Sequence, residues 1–181
     1  MSIAAYFAFW VGSDEVQGYQ LFTHYTARVS FLFFLPIFVL GAINQLSPSG
    51  FTRFALGKSR QLGLTFGVAH MVHMGAILML HDQQNRSFTV DDAAALIIYS
   101  LLVLQIITSN DYSMKILGKV WKYLHKIAIY AVFIGFFVTY LGRFQEFGGG
   151  IYLSLLILAS IAWGARILSF VSKKRLAMSR S

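Results

Sequence analysis

Residues 120–142 read VWKYLHKIAIYAVFIGFFVTYLG, and four further apolar runs occupy residues 25–46, 61–80, 93–108 and 151–171. A hydrocarbon core about 30 Å thick is crossed by roughly 20 apolar residues in a helix. The five runs therefore predict an all-α integral membrane protein, a bundle of about five transmembrane helices, with the third run the shortest. Composition agrees: 57% of residues are hydrophobic and 12% charged, too apolar for an ordinary soluble domain. The opening MSIAAYFAFWVG is only about half a span long, which predicts a short interfacial or re-entrant segment. It has no basic n-region, so it does not read as a cleaved signal peptide. With no internal repeat and no long linker, residues 1–181 read as a single domain.

Five crossings put alternate loops on opposite sides, and the charges then sort. One side carries SPSGFTRFALGKSR, NDYSMKILGKVWK and the tail SKKRLAMSRS. Of the 15 Lys and Arg, only Arg28, Arg86 and Arg143 fall on the other side, with Asp14, Glu15, Asp82, Asp91, Asp92 and Glu146. Asp111 is the one acid on the basic side. The positive-inside rule makes the basic side cytoplasmic, with the N-terminus outside and the C-terminus inside a bacterial-type inner membrane. The basic excess, with its pI near 9.9, is then a signature of topology. It argues for membrane lipid and against nucleic acid as a partner.

No Asp or Glu lies inside any of the five runs, which argues against a proton pump or cation-coupled carrier. The absence of cysteine excludes disulfides, thiolate metal sites and covalently attached haem. Attention falls on the five histidines, His24, His70, His73, His81 and His125, all within or at the ends of apolar runs. His24 and His81 sit at outer boundaries, where water can hydrate them. His70 and His73 stand three apart on the second run, on neighbouring faces. His125 lies toward the cytoplasmic end of the fourth. Two readings stand for His73 and His125: an interhelical hydrogen bond with no ligand, or axial ligation of a b-type haem, for which neutral imidazole is the usual choice. Two haems stacked across the bilayer require ligands about 13 to 14 residues, or roughly 20 Å, apart on one helix. Counting from His125, those places hold Val138 and Thr139, neither of which can replace an imidazole.

Three blocks carry a resemblance: FTHYTARVSFLFF, SRQLGLTFGVAHMVH and TSNDYSMKILGKVWKYLHKIAIY. In order and spacing they cover most of residues 22–140, and the chain resembles the ferric-reductase-like transmembrane family. Within it the nearest likeness is to the haem-binding membrane subunits of bacterial methionine sulfoxide reductase systems. The resemblance implies haem b, one or two per chain, with His73 a ligand of the outer haem and His125 a ligand of the inner one. It places Arg60 near the inner haem, as a propionate partner or at its second ligand position; charge pairing is the easier role for a guanidinium. Trp121 falls in the third block, where haem-edge packing and interface anchoring are equal readings. The family's second histidine on the His125 helix is missing, at Val138 or Thr139. Three resolutions are open: a replacement outer ligand from His70 or His24 with Arg28 near a propionate, an inner haem alone, or a high-spin haem with an open site. His24 is the better trans partner for His73, because His70 shares the His73 helix.

Met71, Met74 and Met79 read as core or lipid contacts, and Gly148–Gly150 as a loop lacking the context of a nucleotide-binding turn. Nothing resembles a flavin or nicotinamide domain. The reading that follows is an electron-transfer subunit of an oxidoreductase rather than a complete enzyme. It would take electrons from a quinol or a separate flavoprotein and pass them to an outer acceptor, a periplasmic reductase or ferric iron. The rival reading is a haem-poor or haem-free membrane scaffold of the same family.

Overall fold

The computed structural model describes residues 15–85, 87 and 89–179, and within them the chain is helical with short turns. The elements are α1 (Glu15–Leu46), α2 (Gly50–Gly57), α3 (Ser59–Gln83), α4 (Val90–Ile107), α5 (Asp111–Leu117), α6 (Lys119–Phe147) and α7 (Gly150–Met178). Residues 1–12, expected as an interfacial or re-entrant piece, lie outside the described residues, as does Arg86.

Four helices, α1, α3, α6 and α7, are long and apolar enough to cross a membrane, and a fifth crossing follows if α4 and α5 are taken together. The protein is an all-α membrane protein. At 18 residues, α4 spans about 27 Å, close to the hydrocarbon thickness, as the shortest apolar run led one to expect. It ends in a 106° bend into α5. The bend falls where Asn110 caps α5, its side chain accepting from the Ser113 N–H. The start of α4 is a capping box, with Thr89 and Asp92 exchanging side-chain and backbone bonds. A second box, Ser49 with Thr52, opens the short α2, whose Phe51 and Phe54 are exposed.

The long helices overrun their apolar runs. α1 has 32 residues, about 48 Å, and begins ten residues before the apolar run does, because Glu15 to His24 keep the helical path through polar territory. The turn between α6 and α7 is made by Gly148 and Gly149, both at positive φ (62° and 86°), which glycine adopts without strain.

α1 is the central helix. It packs along α3 and α7 and touches α6, while α4 packs on α6 and α3. The core between α1, α3 and α6 is aromatic: Phe38 stacks on Phe133 at 4.3 Å, and Phe31 meets Phe136 at 5.3 Å and Tyr140 at 5.2 Å edge-on. Outside, Val68, Val72, Ile97, Val138, Ile161 and Leu168 are exposed. An apolar exterior around buried Thr23, Thr26, Ser30, His70 and His73 is the arrangement lipid favours.

Candidate functional site

A cavity of about 550 Å³ opens between α1, α3, α4, α5 and α6 at their basic-side ends. This is within the size range of cofactor and ligand sites, roughly 300–1,000 Å³. Phe34, Leu64, Phe66 and Leu102 supply apolar wall, and Arg60, Gln105, Asn110, Met114, Trp121 and His125 the polar and polarisable part.

His125 is set by its own helix. Its Nδ1 lies 3.0 Å from the carbonyl of Trp121, one turn back, and the two rings stack with centroids 4.0 Å apart. A carbonyl only accepts, so Nδ1 carries the proton and the lone pair is on Nε2. That Nε2 is sealed from solvent and has no hydrogen-bonding partner among the described residues. An imidazole fixed through one nitrogen with the other bare is the form that binds a metal. Trp121 is fixed in turn: its indole N–H donates to the Thr108 carbonyl at 2.8 Å, tying the end of α4 to the start of α6. Gln105 donates to the His125 carbonyl at 3.2 Å across the same pair.

Arg60 stands at the cavity rim, where its guanidinium pairs with Asp111. The pair joins the start of α3 to the start of α5, both side chains being largely exposed. The adjoining guanidinium holds the Asp111 carboxyl below its usual range. A propionate at this rim would share Arg60 with Asp111, a partner that sequence reasoning missed. Met114, on α5, was also missed; it brings a thioether to the cavity wall, a side chain able to ligate haem iron.

The half of the bundle away from the cavity is built differently. His73 is buried, and its Nδ1 lies 3.0 Å from Thr26 Oγ1. The Thr26 hydroxyl donates to the Phe22 carbonyl at 2.9 Å, so its oxygen accepts from the imidazole N–H. His70 lies among rings, stacked on Tyr99 at 4.9 Å and on Phe66 at 5.2 Å, with Phe136 at 5.1 Å. His24 stands on α1, four residues before Arg28. Arg28 donates to the Tyr152 hydroxyl at 3.4 Å and lies over the Tyr25 and Tyr152 rings. His81 approaches Asp92 at 3.5 Å, so this boundary histidine has an acidic neighbour. Val138 faces outward at 61% exposure, while Phe136 and Tyr140 turn inward and stack on each other. The residues of the cavity fit a haem; the ring-filled half away from it, as packed, does not.

The structure thus brings Arg60, Trp121 and His125 to one cavity and groups His24, His70, His73 and Arg28 away from its walls. Comparison with protein-family models, curated proteins and solved structures found no match.

Proposed function

We propose that this protein is a b-type haem-binding electron-transfer subunit of the inner membrane, with a haem in the cytoplasmic-side cavity and His125 as its axial ligand. The observation that carries the reading is His125 on the wall of a cofactor-sized cavity, its ring oriented by the Trp121 carbonyl and its Nε2 without a hydrogen-bonding partner among the described residues. The resemblance to the ferric-reductase-like family supports it from the sequence side. Bound haem would supply a one-electron couple in a site that protein walls shield from water. This chain's own residues do the rest. Trp121 orients the ligand and covers one side of it, Phe34 and Phe66 keep the inner wall apolar, and Arg60 offers positive charge at the rim.

On this reading the basic side is cytoplasmic, the donor is a quinol or separate flavoprotein, and the acceptor is a periplasmic reductase or ferric iron. The second reading, a haem-free scaffold, is favoured by one observation: the outer half is closed by packed rings where the family carries its second haem. A reduced-minus-oxidised absorbance spectrum of the protein, purified after haem-supplemented expression, separates the two. Soret and α bands are expected; a featureless difference spectrum supports the scaffold.

A further inference from the structure

Two short helices at the basic-side end of the bundle leave apolar side chains uncovered. α1 and α3 run antiparallel, Thr23 meeting Ala76 and Phe34 meeting Phe66, so α2 joins their neighbouring ends. It is held there from one side: Thr52 is buried, and its hydroxyl donates to the Asn44 side chain at 2.8 Å. Phe51 and Phe54, one turn apart on the same short helix, stay exposed, Phe51 at 76%. α5 repeats the pattern. At 18 residues, α4 is already about 27 Å long, and the 106° bend that follows sets α5 across the span direction rather than along it. Tyr112 and Ile116, four residues apart on α5, are both exposed, Tyr112 at 75%.

Cations surround these side chains. Arg53, Lys58, Lys115, Lys119, Lys122 and Lys126 are all exposed, and none has an acidic partner among the described residues. Asp111, the one acid that the sequence puts on this side, is taken by Arg60. That ion pair joins the start of α3 to the start of α5, and Gly57 of α2 and Met114 of α5 line the same cavity, so the two short helices belong to one surface. Lys119, Lys122 and Lys126 recur every three or four residues, a single stripe on α6 beside the exposed Val120, Tyr123 and Ile127.

A surface that is both aromatic and uniformly cationic matches the boundary of a membrane. Rings at the end of a span settle where acyl chains meet headgroups, and lysine stems lie along apolar surface while the ammonium reaches the phosphates. A soluble acidic protein would match the lysines, but the exposed rings run on into helix sides that lipid covers, Ile127 on α6 among them. We propose that α2 and α5 lie in the membrane plane as a two-helix anchor on the basic side. Phe51, Phe54 and Tyr112 insert at the headgroup boundary, and Arg53 and the surrounding lysines bind anionic phospholipid headgroups. The anchor rests on the membrane fold alone and holds with or without haem at His125.

The test exploits a chain without cysteine, in which Phe54→Cys or Tyr112→Cys carries a single nitroxide label. In nanodiscs of phosphatidylcholine and phosphatidylglycerol, both labels should be relaxed by oxygen and shielded from a water-soluble nickel chelate. Labels open to the chelate would overturn the anchor, as would shielding that develops only when an acidic protein is added. A second measurement, on the unaltered chain, compares spin-labelled phosphatidylglycerol with spin-labelled phosphatidylcholine as the lipid immobilised at the protein surface. Phosphatidylglycerol should be preferred severalfold at low salt, each Lys or Arg near an anionic surface contributing about a factor of five, and the preference should fall as salt is raised. Lys119→Gln, Lys122→Gln and Lys126→Gln together should reduce it without moving the Phe54 and Tyr112 labels; a preference that survives them would overturn the lysine assignment. Equal immobilisation of the two lipids by the unaltered chain would overturn the headgroup site, whether or not the triple variant folds.

Discussion

His125 and His73 are each oriented through Nδ1, one by a backbone carbonyl and the other by a threonine hydroxyl, and of the two it is His125 that lines the cavity described above. The difference lies in what surrounds each ring, and Trp121 is the residue that makes the inner surroundings. Trp121→Phe keeps the ring but removes the indole N–H that Thr108 accepts, so a loss of about 0.5–1.5 kcal/mol is expected in detergent unfolding. Equal stability of Trp121→Phe and the unaltered protein would show that this contact is inert. The histidines and their depths were legible in the sequence, because an imidazole in an apolar run stands out. Their partners were not. Thr26 and Asp111 gain meaning only from interhelical register, and a helix apolar on every side has no amphipathic face to announce which residues turn inward.

Two elements depend on single contacts that a variant can probe. At Gly67 on α3, a Cβ would come within 2.8 Å of the Ile106 side chain on α4, so the helices approach closely beside the cavity. Gly67→Leu is expected to cost about 1–3 kcal/mol by overpacking in thermal unfolding, more than Gly63→Leu, where nothing lies within 4 Å. Arg166 on α7 joins three helices: its Nε donates to the Phe38 carbonyl at 2.7 Å, and its guanidinium lies 4.4 Å over Phe38 and 5.0 Å over Tyr130. Arg166→Ala removes both kinds of contact, for an expected loss of about 1–3 kcal/mol by thermal unfolding in detergent. Neither role shows in the sequence, where Arg166 reads as one more basic residue near the cytoplasmic end.

The Arg60–Asp111 pair gives α5 a pH dependence of definite sign. The Asp111 carboxyl is held below its ordinary value in the folded protein, so the stabilisation is fully present above that ordinary value and is lost as pH falls through the lowered one. A spin-label distance between α3 and α5 should stay constant down to about pH 4 and lengthen below it. Asp111→Asn should show the longer distance at all pH values.

At the scale of the whole molecule, apolar length determined the architecture. Four helices are long and apolar enough to cross, and the shorter α4 with its bend into α5 forms the cavity's basic-side boundary. Span number and helical class were legible because backbone satisfaction in lipid leaves a run of 20 apolar residues little else to be. The cavity was not legible, since it lies among helices distant in sequence and beside the 106° bend of α4 into α5, which composition does not announce. The half of the bundle away from the cavity, where α6 carries Val138 and Thr139 in place of a histidine, is closed by Phe31, Phe136 and Tyr140, so the proposed function implies one haem per chain.

Haem titration into purified His125→Gly, with and without imidazole, tests that account most directly. The unaltered protein should take up one haem per chain with a b-type spectrum. His125→Gly should lose that spectrum and regain it when imidazole fills the space left by the side chain, while His73→Gly should keep it. Full haem uptake by His125→Gly without imidazole, or loss of the spectrum in His73→Gly alone, would contradict the assignment of the site.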